Sequence, residues 1–110
     1  MKKYMFVIEM KPEFKNEYID IHLNPWKEML EAIRSVGYVN EVLFYFNNQS
    51  IIYLECPDDK TNEECDAELR KIDVCKRWDA KVNEWFASKP VLCKKIFDLN
   101  QQIDGQFRED

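Results

Sequence analysis

His22 is the only histidine in this 110-residue chain. Histidine is the one side chain whose unperturbed pKa lets it exchange a proton near neutral pH. It lies in Y-I-D-I-H-L-N-P-W-K-E, residues 18–28. In a helix, Tyr18, His22 and Trp26 fall four residues apart and share one face. That face carries a phenol, an imidazole and an indole, where amphipathic helices more often carry Leu, Ile or Val. The sharper reading is a proton-transfer site floored by aromatic rings. The plainer reading is a kinked surface helix whose aromatic face packs on a sheet. Pro25 supplies the kink, because it removes a backbone donor and crowds the carbonyl of Ile21, four residues back.

Composition narrows the choice of chemistry. The length fits one domain with a single core, and a hydrophobic content of 45% is too high for a disordered chain. With only two glycines, glycine-rich phosphate loops are excluded. Sixteen basic residues stand against 21 acidic ones, a net charge of −5, which disfavours nucleic acid as a partner. No apolar run is long enough to span a membrane, and the start M-K-K-Y-M-F-V-I-E-M lacks a signal-peptide core, so a cytoplasmic protein is expected. The four cysteines, at 56, 65, 75 and 93, have no C-x-x-C spacing and no second histidine to complete a zinc set. They read as reduced, partly buried thiols, and neither a metal nor a cofactor is expected.

The elements that must position His22 follow from periodicity. Residues 4–10 alternate as a strand, with Tyr4, Phe6, Ile8 and Met10 on one face and Met5, Val7 and Glu9 on the other. Lys11-Pro12 ends it, and a helix is expected from Glu13 to about Val36, interrupted near Asn24-Pro25. There Asn24 is placed to cap a second segment, with Pro25 in its first position. Gly37 reads as a left-handed stop. V-N-E-V-L-F-Y-F and I-I-Y-L-E-C around N-N-Q-S read as a hairpin. Thr61 and Glu64 form a capping-box pattern for a helix from Asn62 to about Ile72. Asp73 is placed to cap another from Val74 to Phe86, and V-L-C-K-K-I-F-D-L reads as a last strand. Residues 1–99 are thus one domain, and residues 100–110 a polar tail.

This order is the α+β, ferredoxin-like β-α-β-β-α-β sandwich. Its helices cover one sheet face. The other face carries too much apolar surface for a monomer, so a homodimer is expected.

The quoted segments resemble the L-rhamnose mutarotase family. The resemblance rests on Y-x-x-x-H-x-x-x-W-x-E at Tyr18 to Glu28, on Gly37 with Asn40 beyond it, and on D-V-C-K-R-W at Asp73 to Trp78. It covers roughly residues 3–99 and implies dimers of the dimeric α/β-barrel type that interconvert sugar anomers without cofactor. It also implies that His22 is the acid/base residue, Tyr18 a substrate contact and Trp78 an aromatic wall. Two positions depart from the family pattern: Asp79 stands where the family has a second tryptophan, and Glu41 where it has a sugar-contacting tyrosine. In addition, the proline at 25 precedes Trp26 rather than following it.

Mutarotation takes a proton from the anomeric hydroxyl and gives one to the ring oxygen, work for a group titrating near neutrality. Candidate catalytic residues are therefore His22 and Tyr18, and candidate substrate contacts are Trp78, Asp79, Glu41 and Trp26. Trp78 can equally anchor its helix, and Trp26 can continue the apolar stripe of Met29 and Ile33. Glu28 either orients His22 or faces solvent, and Arg77 either pairs with an acid such as Glu41 or holds a hydroxyl. Neutral hexoses or 6-deoxyhexoses fit the two carboxylates better than uronates do. The competing readings are a non-catalytic sugar-binding or regulatory module, and a small monooxygenase or haem-binding protein.

Overall fold

The hairpin turn is set by Asn47 and Asn48, which both adopt positive φ, 52° and 57°. Two consecutive left-handed residues give the tight turn whose twist matches its strands, and asparagine tolerates that conformation. The link is thus two residues long, shorter than N-N-Q-S, and Gln49 and Ser50 belong to the second strand. In the computed structural model, which describes residues 1–110, the strands are β1 (Lys2–Glu9), β2 (Asn40–Phe46), β3 (Gln49–Cys56) and β4 (Val91–Leu92). They form one antiparallel sheet in the order β2-β3-β1-β4. The helices are α1 (Lys15–Leu23), α2 (Lys27–Ser35), α3 (Asn62–Leu69), α4 (Asp73–Val82) and α5 (Leu99–Ile103). This is the ferredoxin-like sandwich.

Register assigns the two sheet faces. Ile8 pairs with Ser50 and Tyr45 with Ser50, while Phe6 and Leu43 both pair with Ile52. These residues face the helices and join Tyr18, Met29, Trp78 and Val82 in the core. Alternate residues face the other way, and there Met5, Phe44 and Phe46 are 38%, 61% and 71% exposed.

Three local expectations are corrected. Asn24 closes α1 rather than opening α2, because the following proline pushes it out of helical geometry, to φ −129°, ψ 63°. Its side chain turns back to Asp20 Oδ1 at 3.2 Å, and Pro25 stays outside α2, which begins at Lys27 after an extended Trp26. Asp73 is the first residue of α4, not its cap, and its carboxylate accepts from Arg77 Nε at 2.9 Å. The last strand keeps only Val91 and Leu92. Asp98 ends the extended run by pairing with Lys3 and by accepting from the Gln101 N–H, which caps α5. The tail after α5 folds back: Arg108 pairs with Asp58 at 2.7 Å, and the Lys3 N–H donates to Asp110 at 2.9 Å.

Gly37 adopts φ 112° and ends the α2 segment as expected. The capping box also forms, with Glu64 N–H donating to Thr61 Oγ1 at 3.1 Å and Thr61 N–H to Glu64 Oε1 at 3.1 Å. No helix is long and apolar enough to cross a membrane. The four cysteines are free thiols, and Cys56, Cys65 and Cys75 are fully buried.

Candidate active site

His22 stands in the last turn of α1. Its Nδ1 lies 2.8 Å from the carbonyl oxygen of Tyr18, one turn earlier. A carbonyl can only accept, so Nδ1 carries the proton and Nε2 holds the free lone pair. Burial disfavours the charged ring and lowers its pKa from the ordinary value, and the backbone bond offsets only part of that. A neutral imidazole with a bare Nε2 is therefore the resting state at neutral pH.

The rings around it fix its plane. Tyr18 packs against it with centroids 4.4 Å apart, and Trp78 meets it edge-on at 5.4 Å. The Tyr18 hydroxyl is 2.7 Å from Ser50 Oγ, a fully buried group near the start of β3. Burial, offset in part by that bond, pushes the Tyr18 phenol up to about 12, so it stays protonated. Beside it, Tyr45 presents a hydroxyl that is enclosed and has no partner.

His22, Tyr18 and Trp78 line one side of a cleft of about 1150 Å³ between the helices and the sheet. Glu41, Arg70 and Asp79 line the same cleft. Glu41 is open to it yet crowded by neighbouring atoms. That crowding raises its carboxyl above the usual range, and the Arg70 charge counters it only in part. Asp79 is not a free acceptor. It is paired with Arg70 Nη1, while Arg70 Nη2 also holds Asp66 Oδ1 at 2.9 Å. Burial works against the guanidinium charge, but the bond to Asp79 and the charges of Asp66 and Asp79 outweigh it.

The structure thus gathers five of the six sequence candidates into one cleft. The exception is Trp26, which packs edge-on behind Trp78 at 5.1 Å and lines a separate depression with Lys81 and Trp85. Once Pro25 breaks the helix, four-residue spacing no longer keeps Trp26 on the His22 face. Glu28 is exposed and meets Arg77 Nη2 at 3.4 Å, so neither Glu28 nor Arg77 touches the cleft. Ser50 and Arg70 were not anticipated. Ser50 carried a usable signal, as a polar residue at an inward position of an apolar strand. Arg70 carried none, because its partner Asp79 lies on the next helix.

Comparison with known proteins identifies the family. The pattern of the family described as L-rhamnose mutarotase matches residues 3–101. The chain belongs to that family. A curated L-rhamnose mutarotase from Lactiplantibacillus plantarum is 31% identical over 74 residues, which are 66% of this chain and 67% of that protein. The crystal structure of an L-rhamnose mutarotase from Formosa agariphila superposes with a TM-score of 0.71 at 15% identity, covering 90% of this chain and 99% of that one. A putative antibiotic biosynthesis monooxygenase from Nitrosomonas europaea shares the fold at a TM-score of 0.60 and 15% identity, covering 88% of this chain and all of the other. As a member of the L-rhamnose mutarotase family, the chain is an isomerase-type enzyme.

Proposed function

We propose that this chain interconverts the α and β anomers of a neutral 6-deoxyhexose, L-rhamnose first and L-fucose or a related sugar next, with His22 moving the proton. The observation that carries this reading is the fixed tautomer of His22. Its Nε2 is unprotonated and unpartnered on the wall of the cleft, while Nδ1–H is held by the Tyr18 carbonyl. Nε2 takes the proton of the anomeric hydroxyl as the bond between the anomeric carbon and the ring oxygen breaks. The imidazolium so formed gives that proton, relayed by a water molecule, to the ring oxygen, the carbonyl turns its other face, and the steps reverse. Tyr18 assists through its hydroxyl. A hydroxyl accepts as well as donates, so with Ser50 as the donor the phenol proton is free to meet the ring oxygen. A phenol with so high a pKa supports that oxygen by hydrogen bonding rather than by full proton transfer. Trp78 offers a flat apolar face to the C–H side of the sugar.

Anomer-exchange NMR tests this reading. The protein accelerates exchange of L-rhamnose over buffer, and folded His22→Ala loses the acceleration. Exchange by that variant at the full rate overturns it.

The same reading places two chains face to face across the open sheet. Phe44, Phe46 and Met5 form an apolar surface there that a second copy would cover. Light scattering shows a dimer at micromolar concentration if this is right, in reducing buffer as well, and a stable monomer counts against it.

A further inference from the structure

Arg70 sits in the turn between α3 and α4, where two helices fix it. Its Nε donates to Asp66 Oδ1 at 3.1 Å, Nη2 meets the same oxygen at 2.9 Å, and Nη1 pairs with Asp79. These bonds take three of the five N–H groups a guanidinium owns. The remaining two have no protein acceptor, and the side chain borders the cleft. On β2, the Glu41 carboxyl borders the same cleft and takes no hydrogen bond from the protein. Spare donors and a spare acceptor thus face one space. Asp79 follows Trp78 on α4, and Trp78 touches His22, so this polar corner adjoins the proton-transfer residue.

We propose that Arg70 is a substrate-contacting residue that works with Glu41 as a donor–acceptor clasp on two neighbouring hydroxyls of a sugar whose anomeric carbon lies at His22. The proposal rests on the mutarotase reading above and specifies its substrate. Asp66 and Asp79 act through Arg70 and are positioning residues. Charge sets the class of ligand: one guanidinium stands among three carboxyls, so the corner repels anions and accepts a neutral polyol. An adjacent hydroxyl pair satisfies it, one oxygen accepting from Arg70 and one O–H donating to Glu41. A methyl group or an aromatic wall would leave the two spare Arg70 N–H groups and the Glu41 carboxyl without partners, and sites built to bond a hydroxyl reject analogues that lack it.

The test pairs side-chain deletion with hydroxyl deletion. Anomer exchange is measured for L-rhamnose and for its 2-, 3- and 4-deoxy analogues, with the wild-type protein, Glu41→Ala and Arg70→Lys. A hydrogen bond to a charged group contributes roughly tenfold to a hundredfold in kcat/KM. With the wild-type protein, at least one deoxy analogue loses that factor against L-rhamnose. Glu41→Ala loses a similar factor on L-rhamnose and no further factor on that analogue. Arg70→Lys keeps the charge but lacks the planar fork, and behaves likewise on the neighbouring hydroxyl. Losses that multiply, or analogues that all match L-rhamnose, overturn the clasp while leaving the mutarotase reading intact. If no sugar exchanges faster than in buffer, that reading fails, and saturation-transfer NMR then judges the clasp alone. Sugar contact that weakens in Glu41→Ala and shifts the Arg70 Nε–H resonance supports it; contact unchanged by Glu41→Ala overturns it.

Discussion

The two ends of the cleft are built on opposite principles. Around His22 almost everything is aromatic, and the imidazole is held by a backbone carbonyl rather than by a carboxylate. Around Arg70 almost everything is charged, and geometry is fixed by ion pairs between side chains. An apolar surround keeps an imidazole neutral and ready to accept a proton. A charged surround supplies directional donors and acceptors. On the proposed function this is a division of labour, in which one end performs the reaction and the other decides which molecule undergoes it.

That division predicts distinct failures. The largest effect is expected from His22→Ala, which should lower anomer exchange about 10²–10⁴-fold. Exchange NMR should show the same factor for every accepted sugar, whereas changes at Glu41 should depend on the sugar. A sugar-dependent loss in His22→Ala would erase the distinction.

Next come the supports of the aromatic end. Ser50→Ala strands the buried Tyr18 phenol and should cost about 1–3 kcal/mol of stability in a urea titration. Tyr18→Phe strands the serine hydroxyl instead. The double variant should therefore lose less than the sum of the two, and strict additivity would show that the hydroxyls do not bond each other.

A smaller effect is expected with pH. Because burial lowers the His22 pKa, the acid limb of kcat/KM should fall below the ordinary histidine value of about 6.5, and it should vanish in His22→Ala. Stability follows the same sign. Below about pH 6.5 the unfolded chain binds this proton more readily than the folded one, so His22 favours unfolding as pH falls. Melting temperatures compared with His22→Ala between pH 7 and 5 read this directly.

The smallest effect is expected outside the cleft. Glu28→Ala removes an exposed partner of Arg77 and should change stability by less than about 0.5 kcal/mol. Exchange rates for all sugars should stay at the wild-type level, and a tenfold loss would show that Glu28 reaches the site.

Both ends were unequally visible in the sequence. The aromatic end is local: Tyr18 and His22 lie one helical turn apart, so periodicity alone puts them together. The hairpin, the stop at Gly37 and the capping box at Thr61 are local in the same sense. Trp26 shows where that logic breaks, since a single proline between it and His22 rotates the chain onto another face. The polar end is assembled from β2, the α3–α4 turn and α4. No spacing rule links Glu41 to Arg70, and Asp79 read as a free carboxylate because its partner could not be seen. The short β4 was overread for a similar reason, as the pairing of Asp98 with Lys3 is set by the folded sheet.

The position of β1 has a consequence for how the chain is made. It lies inside the sheet between β3 and β4, yet it precedes both in the chain, pairing Lys2 with Cys56 and Phe6 with Leu92. At ~5–20 residues per second on the ribosome, β3 follows β1 only after seconds, whereas the Asn47–Asn48 hairpin closes in about microseconds once its strands emerge. The nascent chain therefore carries an apolar strand with both edges open until a ready-made hairpin arrives to receive it. Pairings so distant in sequence are slow to form, and the waiting strand is the point at which synthesis is most exposed to self-association.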